Sequence, residues 1–225
     1  MIIYAIILII CMFSIYIFKR LLGDLGLKLV FILMSITSFI LTFKYIIMYN
    51  FNLNANCITY ITMFSCLYLL LETNEKKEIK KLSNANFILN IFSAIILYIM
   101  TYHTQSLTDT ISINMKNVFF GNARILISFP IITLLSNYLL IAMYEKIKLL
   151  YDNMFITTVT TFLLVGIIEG ILYTILSYYN ILTLKVIIEL ILSTYMIKLI
   201  LTVIYSIFLM IITKEKVVKW IVSHY

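Results

Sequence analysis

The stretch VIIELILSTYMIKLILTVIYSIFLMIIT, Val186–Thr213, decides the fold. It is longer than the roughly 20 residues that carry a helix across hydrocarbon, and only Glu189 and Lys198 in it are charged. It lacks the strict alternation of apolar and polar residues that a barrel strand needs. A spanning segment must satisfy its own backbone hydrogen bonds, so the run is a helix. Ile2–Phe18 reads the same way, and it lacks the basic start and small-residue cleavage site of a signal peptide, so it should remain as a helix. Working outward, charges and turn residues divide the chain into about seven apolar segments, near 2–18, 27–49, 55–71, 86–102, 121–144, 154–177 and 186–212.

The composition agrees. The chain has 225 residues, 63% hydrophobic and 12% charged, with a mean hydropathy of +1.08. A soluble domain carries about 25% charged residues, and half of that cannot cover a water-soluble surface. A soluble enzyme, a disordered chain and a secreted disulfide scaffold are thereby excluded. The expectation is an all-α, polytopic integral membrane protein whose single domain, residues 1–225, bundles about seven transmembrane helices. No soluble domain is expected, and the lipid bilayer is the first partner.

Lys and Arg number 17 against 10 Asp and Glu. In a soluble chain that excess would point to nucleic acid; here most cations lie between apolar runs and alternate connections hold them. Lys19, Arg20 and Lys28 fall on one side, with Lys76, Lys77, Lys80, Lys81, Lys146, Lys148, Lys214, Lys216 and Lys219. The other side has Lys116 and Lys185. The positive-inside rule then places the chain in the cell membrane with its N-terminus outside and its C-terminus in the cytoplasm. No nucleic-acid partner is implied. Glu72–Leu82 reads as a solvated loop that sets this topology, or as a helical turn or two with Glu78 beside Lys81. His103–Phe120 reads as the longest external loop.

Ionisable residues inside spans are expensive and therefore mark candidate functional positions. Lys44 is close enough to its helix end to snorkel. Arg124 and Glu189 each sit about one turn inside the same boundary, where they could pair or face a cavity. Glu169 lies about 12 Å and Lys198 about 18 Å below that boundary on consecutive antiparallel helices, so an ion pair near mid-membrane is geometrically allowed. Two readings follow: a charge pair that locks two helices, or the polar wall of a substrate cavity, which is favoured because hydrocarbon packing needs neither charge. Gly166 and Gly170 form a GxxxG step beside Glu169, which allows close helix packing or clears room for a ligand. Pro130 removes a helical hydrogen bond and should kink the fifth span.

No Walker loop, HExxH or GxSxG occurs, so the chain is not read as an enzyme. Cys11, Cys57 and Cys66 have no ligand spacing and read as buried free thiols, and no metal or cofactor is expected. His103 and His224 stand alone in a loop and the tail.

The order of residues resembles the VUT family, the queuosine precursor transporters that take up deazapurine bases. The family's G-x-x-G-L step is GDLGL at Gly23–Leu27, and its lysine late in the next span is Lys44. Its Y-x-x-x-F and downstream E-x-x-G-K-K match Tyr60, Phe64, Glu72, Lys76 and Lys77, with Leu67–Tyr68 in place of Thr-Asp and Glu75 in place of the glycine. FGNARILISFPIITLLSNYLLIAMYEKIK, Phe120–Lys148, keeps Phe120, Arg124, Ile125, Ser136, Lys146 and Lys148 of a family stretch. Ala123 replaces its proline, Ser128–Phe129 its Ala-Ser, Asn137 its glutamine and Leu140 its aspartate. LKVIIELILSTYMIKLI, Leu184–Ile200, is close to the family text and includes Glu189 and Lys198. The family's W-x-R-N-N falls at Phe155–Val159, with Thr157 for the arginine. Its Q-x-x-D is Gly166-x-x-Glu169, and its D-T-P-F is Tyr205–Phe208. The resemblance covers nearly the whole chain.

It implies a transporter that takes up a small planar polar compound, most readily a queuosine precursor or a related deazapurine. Glu169, Lys198, Arg124, Glu189 and Glu72 are then the substrate-binding residues, with Glu169, Lys198, Arg124 and Glu72 lining one path. Two alternatives stand beside it: a substrate-binding membrane subunit that needs an energising partner, and a non-transporting, degenerate relative. Assembly as a homo-oligomer is compatible with each. Glu72, at the cytoplasmic end of the third span, is assigned to gating or partner contact, against a bland alternative as an interfacial carboxylate near Lys76.

Overall fold

The computed structural model describes residues 2–48, 51–100, 118–119 and 122–223. Seven helices run through them: α1 (Ile2–Leu22), α2 (Asp24–Leu41), α3 (Cys57–Leu71), α4 (Lys76–Met100), α5 (Ala123–Leu150), α6 (Met154–Tyr178) and α7 (Leu184–Ser223). All but α3 are long and apolar enough to cross a membrane. The protein is an all-α polytopic bundle, with one short hairpin, β1 (Tyr45–Met48) paired antiparallel with β2 (Phe51–Asn54).

Its helices are inverted relative to those of a water-soluble bundle. Outward stripes are apolar: Ile88, Phe92, Ile95 and Ile99 on α4, and Leu164, Ile167, Ile171 and Ile175 on α6. The inward stripe of α6 contains Thr158, Thr161, Glu169 and Ser177, all buried. Lipid rewards apolar faces outside, and polar side chains then find partners only in the interior. They bridge helices there. Ser38 meets Thr59 at 2.7 Å, Thr62 meets the Tyr205 hydroxyl at 2.6 Å, and Ser128 meets Ser177 at 2.7 Å.

At the centre stands α3, every residue of which is buried. This explains its length. With other helices and not lipid around it, α3 needs no full hydrocarbon span, and its 15 residues fall short of the expected crossing length. Its rings organise the core: Tyr60 packs on Phe64 and Phe129, and Tyr68 on Tyr144 and Phe162.

Several boundaries differ from the sequence reading, among them the link over Lys19–Gly26, which shrinks to Gly23 between α1 and α2. The span expected over 27–49 stops at Leu41, and the aromatic and β-branched run after it forms the hairpin. This takes Lys44 out of a helix altogether, into the exposed link before β1. The stop is side-chain driven. Asn54 donates to the Thr42 carbonyl at 3.3 Å and Asn56 to the Thr42 hydroxyl at 2.9 Å, so hairpin and α3 satisfy the end of α2. Asn56→Ala is therefore expected to lower stability by about 1 kcal/mol, read from the unfolding midpoint in detergent.

Lys76–Leu82 is not a loop but the first turns of α4. Ile79, Ser83, Asn86 and Asn90 fall on one buried face of it, and both asparagine amides donate to Ser35 of α2 at 2.9 Å. Glu78 pairs across with Lys28 and not with Lys81, and Lys76 pairs with Glu145. Helix α5 likewise continues through Glu145–Leu150, and α7 past Thr213 to Ser223. Through Pro130 α5 runs unbroken. His103–Lys116 and His224 lie outside the described residues.

The tight link between α1 and α2 depends on two glycines. Gly23 has φ +60° and takes the chain out of α1 in a conformation that costs glycine little. A Cβ at Gly26 would lie 2.0 Å from the Phe18 carbonyl oxygen, so only glycine lets the two helices close.

Candidate functional site

Glu169 of α6 and Lys198 of α7 form an ion pair in the interior, each about 95% buried. Helix arithmetic put the two at similar depth; the fold adds the rotation that makes them face each other. Lys198 also lies over the Tyr60 ring of α3, 4.7 Å from its centroid. An ammonium held between a carboxylate and an aromatic face, away from water, gains from both. One charge alone would be costly in this setting.

Above the pair a crevice of about 20 Å³ runs toward the hairpin end of the bundle. Its walls include Tyr173 and Thr174 of α6 and Leu190 and Thr194 of α7, with Asn54 and Asn56 contributed by the hairpin and the start of α3. Leu190, Thr194 and Lys198 repeat at i, i+4 and i+8, one face of a helix. The volume suits about one water molecule. Gly170 lines the crevice, and a Cβ at Gly166 or Gly170 would meet nothing within 4 Å. The glycines therefore do not serve close helix packing. Gly170 leaves open space in the crevice that the carboxylate lines.

The other expected site residues are not gathered there. Arg124 is exposed and donates at 2.5 Å to the carbonyl of Tyr179, the residue that ends α6. It does not pair with Glu189. The unpaired carbonyls at a helix C-terminus carry partial negative charge, and a nearby guanidinium is drawn to them before a carboxylate on the next helix. Glu189 is half-buried and forms no ion pair among the described residues.

Glu72 is at the opposite end of α3, roughly 18 Å along the helix from Tyr60, and pairs with Lys148 at 2.7 Å. Lys148 also reaches the Tyr144 hydroxyl at 2.7 Å. The five side chains thus do not meet in a single pocket. Glu169 and Lys198 share a site, Arg124 and Glu189 flank the hairpin end, and Glu72 belongs to a set of ion pairs at the lysine-rich end. That last set is solvated, so Glu72→Gln is expected to change stability by less than about 1 kcal/mol, checked by the unfolding midpoint in detergent.

Sequence reasoning gave no site role to Asn54 and Asn56, which line the crevice, to Tyr60, noted only as a motif match, or to a polar face of α5. Thr133, Ser136 and Asn137 follow i, i+3, i+4 spacing and are all buried. That spacing in an apolar span was the available signal. Cys11, Cys57 and Cys66 are free and buried, and no group of three metal-ligating side chains occurs among the described residues.

A polytopic helical bundle with a buried charge pair beneath a polar crevice is the class that fold and site define. No family model, curated protein or solved structure matches this chain. The likeness to the queuosine precursor transporters rests on the motifs quoted above.

Proposed function

We propose that the protein is a membrane transporter that takes up a small planar polar compound of the deazapurine type through the Glu169–Lys198 site. One observation carries this reading: a charge pair deep among apolar helices, with glycine-cleared space and a polar crevice leading to it. A bundle that only had to pack would avoid the desolvation of both charges by using apolar residues there.

In this reading the lysine-rich end is cytoplasmic and the hairpin end outside. Glu169 accepts from donor groups on the ligand, Lys198 compensates its charge, and the Tyr60 ring offers a flat face for stacking. The crevice holds about one water, so α6 and α7 must part for a heterocycle to enter. That requirement suits a carrier that alternates between states.

Uptake of a labelled deazapurine base by cells lacking their own precursor importer tests the proposal. Saturable uptake is expected with the wild-type chain and none with the folded Glu169→Leu, Lys198→Leu double variant. Uptake no greater than in cells without the protein overturns the transport reading. Equal uptake by wild type and double variant removes the pair from the path.

A further inference from the structure

The interior also holds polar groups that the ion pair does not use. Asn137 of α5 is fully buried, and neither its amide nitrogen nor its amide oxygen has a partner among the described residues. The hydroxyls of Thr133, Ser136, Tyr60 and Thr202 are also buried and unpartnered. The Tyr60 hydroxyl lies close to the hydroxyls of Ser136 and Thr133. Thr202 is one turn from Lys198 on the same face of α7.

Thr133, Ser136 and the Tyr60 hydroxyl lie together, and Asn137 follows Thr133 by one turn on the same face of α5. Phe129 packs on Tyr60, and Tyr144 on Tyr68, so the face of α5 that runs from Phe129 through Thr133 and Asn137 to Tyr144 looks onto α3. Lys198 covers the Tyr60 ring while the hydroxyl of the same residue points to α5. Tyr60 thus joins the charge pair to a second polar patch that carries no charge.

Orphaned polar atoms in a lipid-surrounded interior cost several kcal/mol each. Asn86 and Asn90, which clamp helices, donate their amide N–H groups to Ser35 across the α2–α4 interface, while their amide oxygens are unpartnered. Asn137 has a partner at neither end, so rotating its amide would rescue nothing.

We propose that Thr133, Ser136, Asn137 and the Tyr60 hydroxyl form a neutral recognition site for the amide or lactam edge of the transported compound. An open amide presents one donor and one acceptor side by side, which complements a ring carbonyl next to a ring N–H. The hydroxyls serve neighbouring polar atoms. The assignment rests on the transport reading above and adds the chemistry that selects the ligand.

Binding to the full chain in nanodiscs tests it, with 7-deazaguanine and its O6-methyl ether as probes; the ether lacks the ring N–H beside a carbonyl. Wild type should prefer 7-deazaguanine by at least about tenfold, the effect of leaving a buried polar group unpaired. Asn137→Leu, which keeps the branched shape without polar atoms, should fold as well as wild type and lose that preference. Thr133→Val, which removes a neighbouring hydroxyl, should weaken binding of both probes alike. If Asn137→Leu binds and keeps the tenfold preference, or misfolds while a folded Asn137→Ala keeps it, the recognition site is overturned and transport stands. If wild type neither binds nor imports 7-deazaguanine, the transport reading falls and the recognition site falls with it.

Discussion

Lys198→Leu is expected to cost about 3–5 kcal/mol of bundle stability, and Glu169→Leu added to it should return most of that loss. The asymmetry follows from burial. With the lysine gone, Glu169 keeps its carboxylate in the interior opposite nothing, or takes up a proton to shed the charge. Either way the folded state is penalised, and the Tyr60 ring loses its cation as well. When both residues are leucine no charge remains to compensate, and the crevice above them tolerates the change because Gly166 and Gly170 leave room. Equilibrium unfolding in mixed micelles measures all three variants. A single substitution costing less than about 1 kcal/mol would mean that the pair behaves like an exposed one, and the arguments built on its burial would fail. Function separates from stability in the double variant, which should fold and yet bind no ligand.

Gly26→Ala should be nearly as damaging, by about 3 kcal/mol, although it adds one methyl and touches no polar group. The new Cβ would lie 2.0 Å from the Phe18 carbonyl oxygen and 2.5 Å from its carbonyl carbon. Both are backbone atoms of α1, so no side-chain rotation relieves the clash and the two helices must separate. Leu27, Val30 and Phe31, buried immediately after it, would be drawn away from the core. Gly170→Ala is the internal control, since its Cβ meets nothing within 4 Å. Parallel thermal unfolding of the two variants decides the matter. Equal midpoints would show that the α1–α2 contact can relax in a way its geometry does not suggest.

The G-x-x-G step at Gly23–Gly26 illustrates what a sequence can and cannot disclose. Spacing marks the two glycines, but their different tasks, a positive φ at one and a backbone approach at the other, exist only once α1 and α2 are side by side. The same holds for Gly166 and Gly170, where spacing allowed packing or space and the neighbouring helices left space. Arg124 and Glu189 were at matching depth by residue count, yet depth says nothing of azimuth, and the arginine found the end of α6 instead.

The features legible in the amino-acid order arise from terms that act along one helix. Hydrocarbon rewards long apolar runs and forbids unsatisfied backbone, which fixes the helical class and most of the spans. The rise per residue fixes depth, which put Glu169 and Lys198 within about one turn of each other. Only the tertiary structure decided the lateral arrangement. It surrounded α3 with protein, so that a 15-residue helix suffices. It also folded Tyr45–Asn54 into a hairpin, because Asn54 and Asn56 could reach Thr42. Finally, it turned Thr133, Ser136 and Asn137 inward toward Tyr60. The physical reason is that each helix's neighbours and its rotation about its own axis are chosen by contacts between segments far apart in the chain, and no local pattern encodes them.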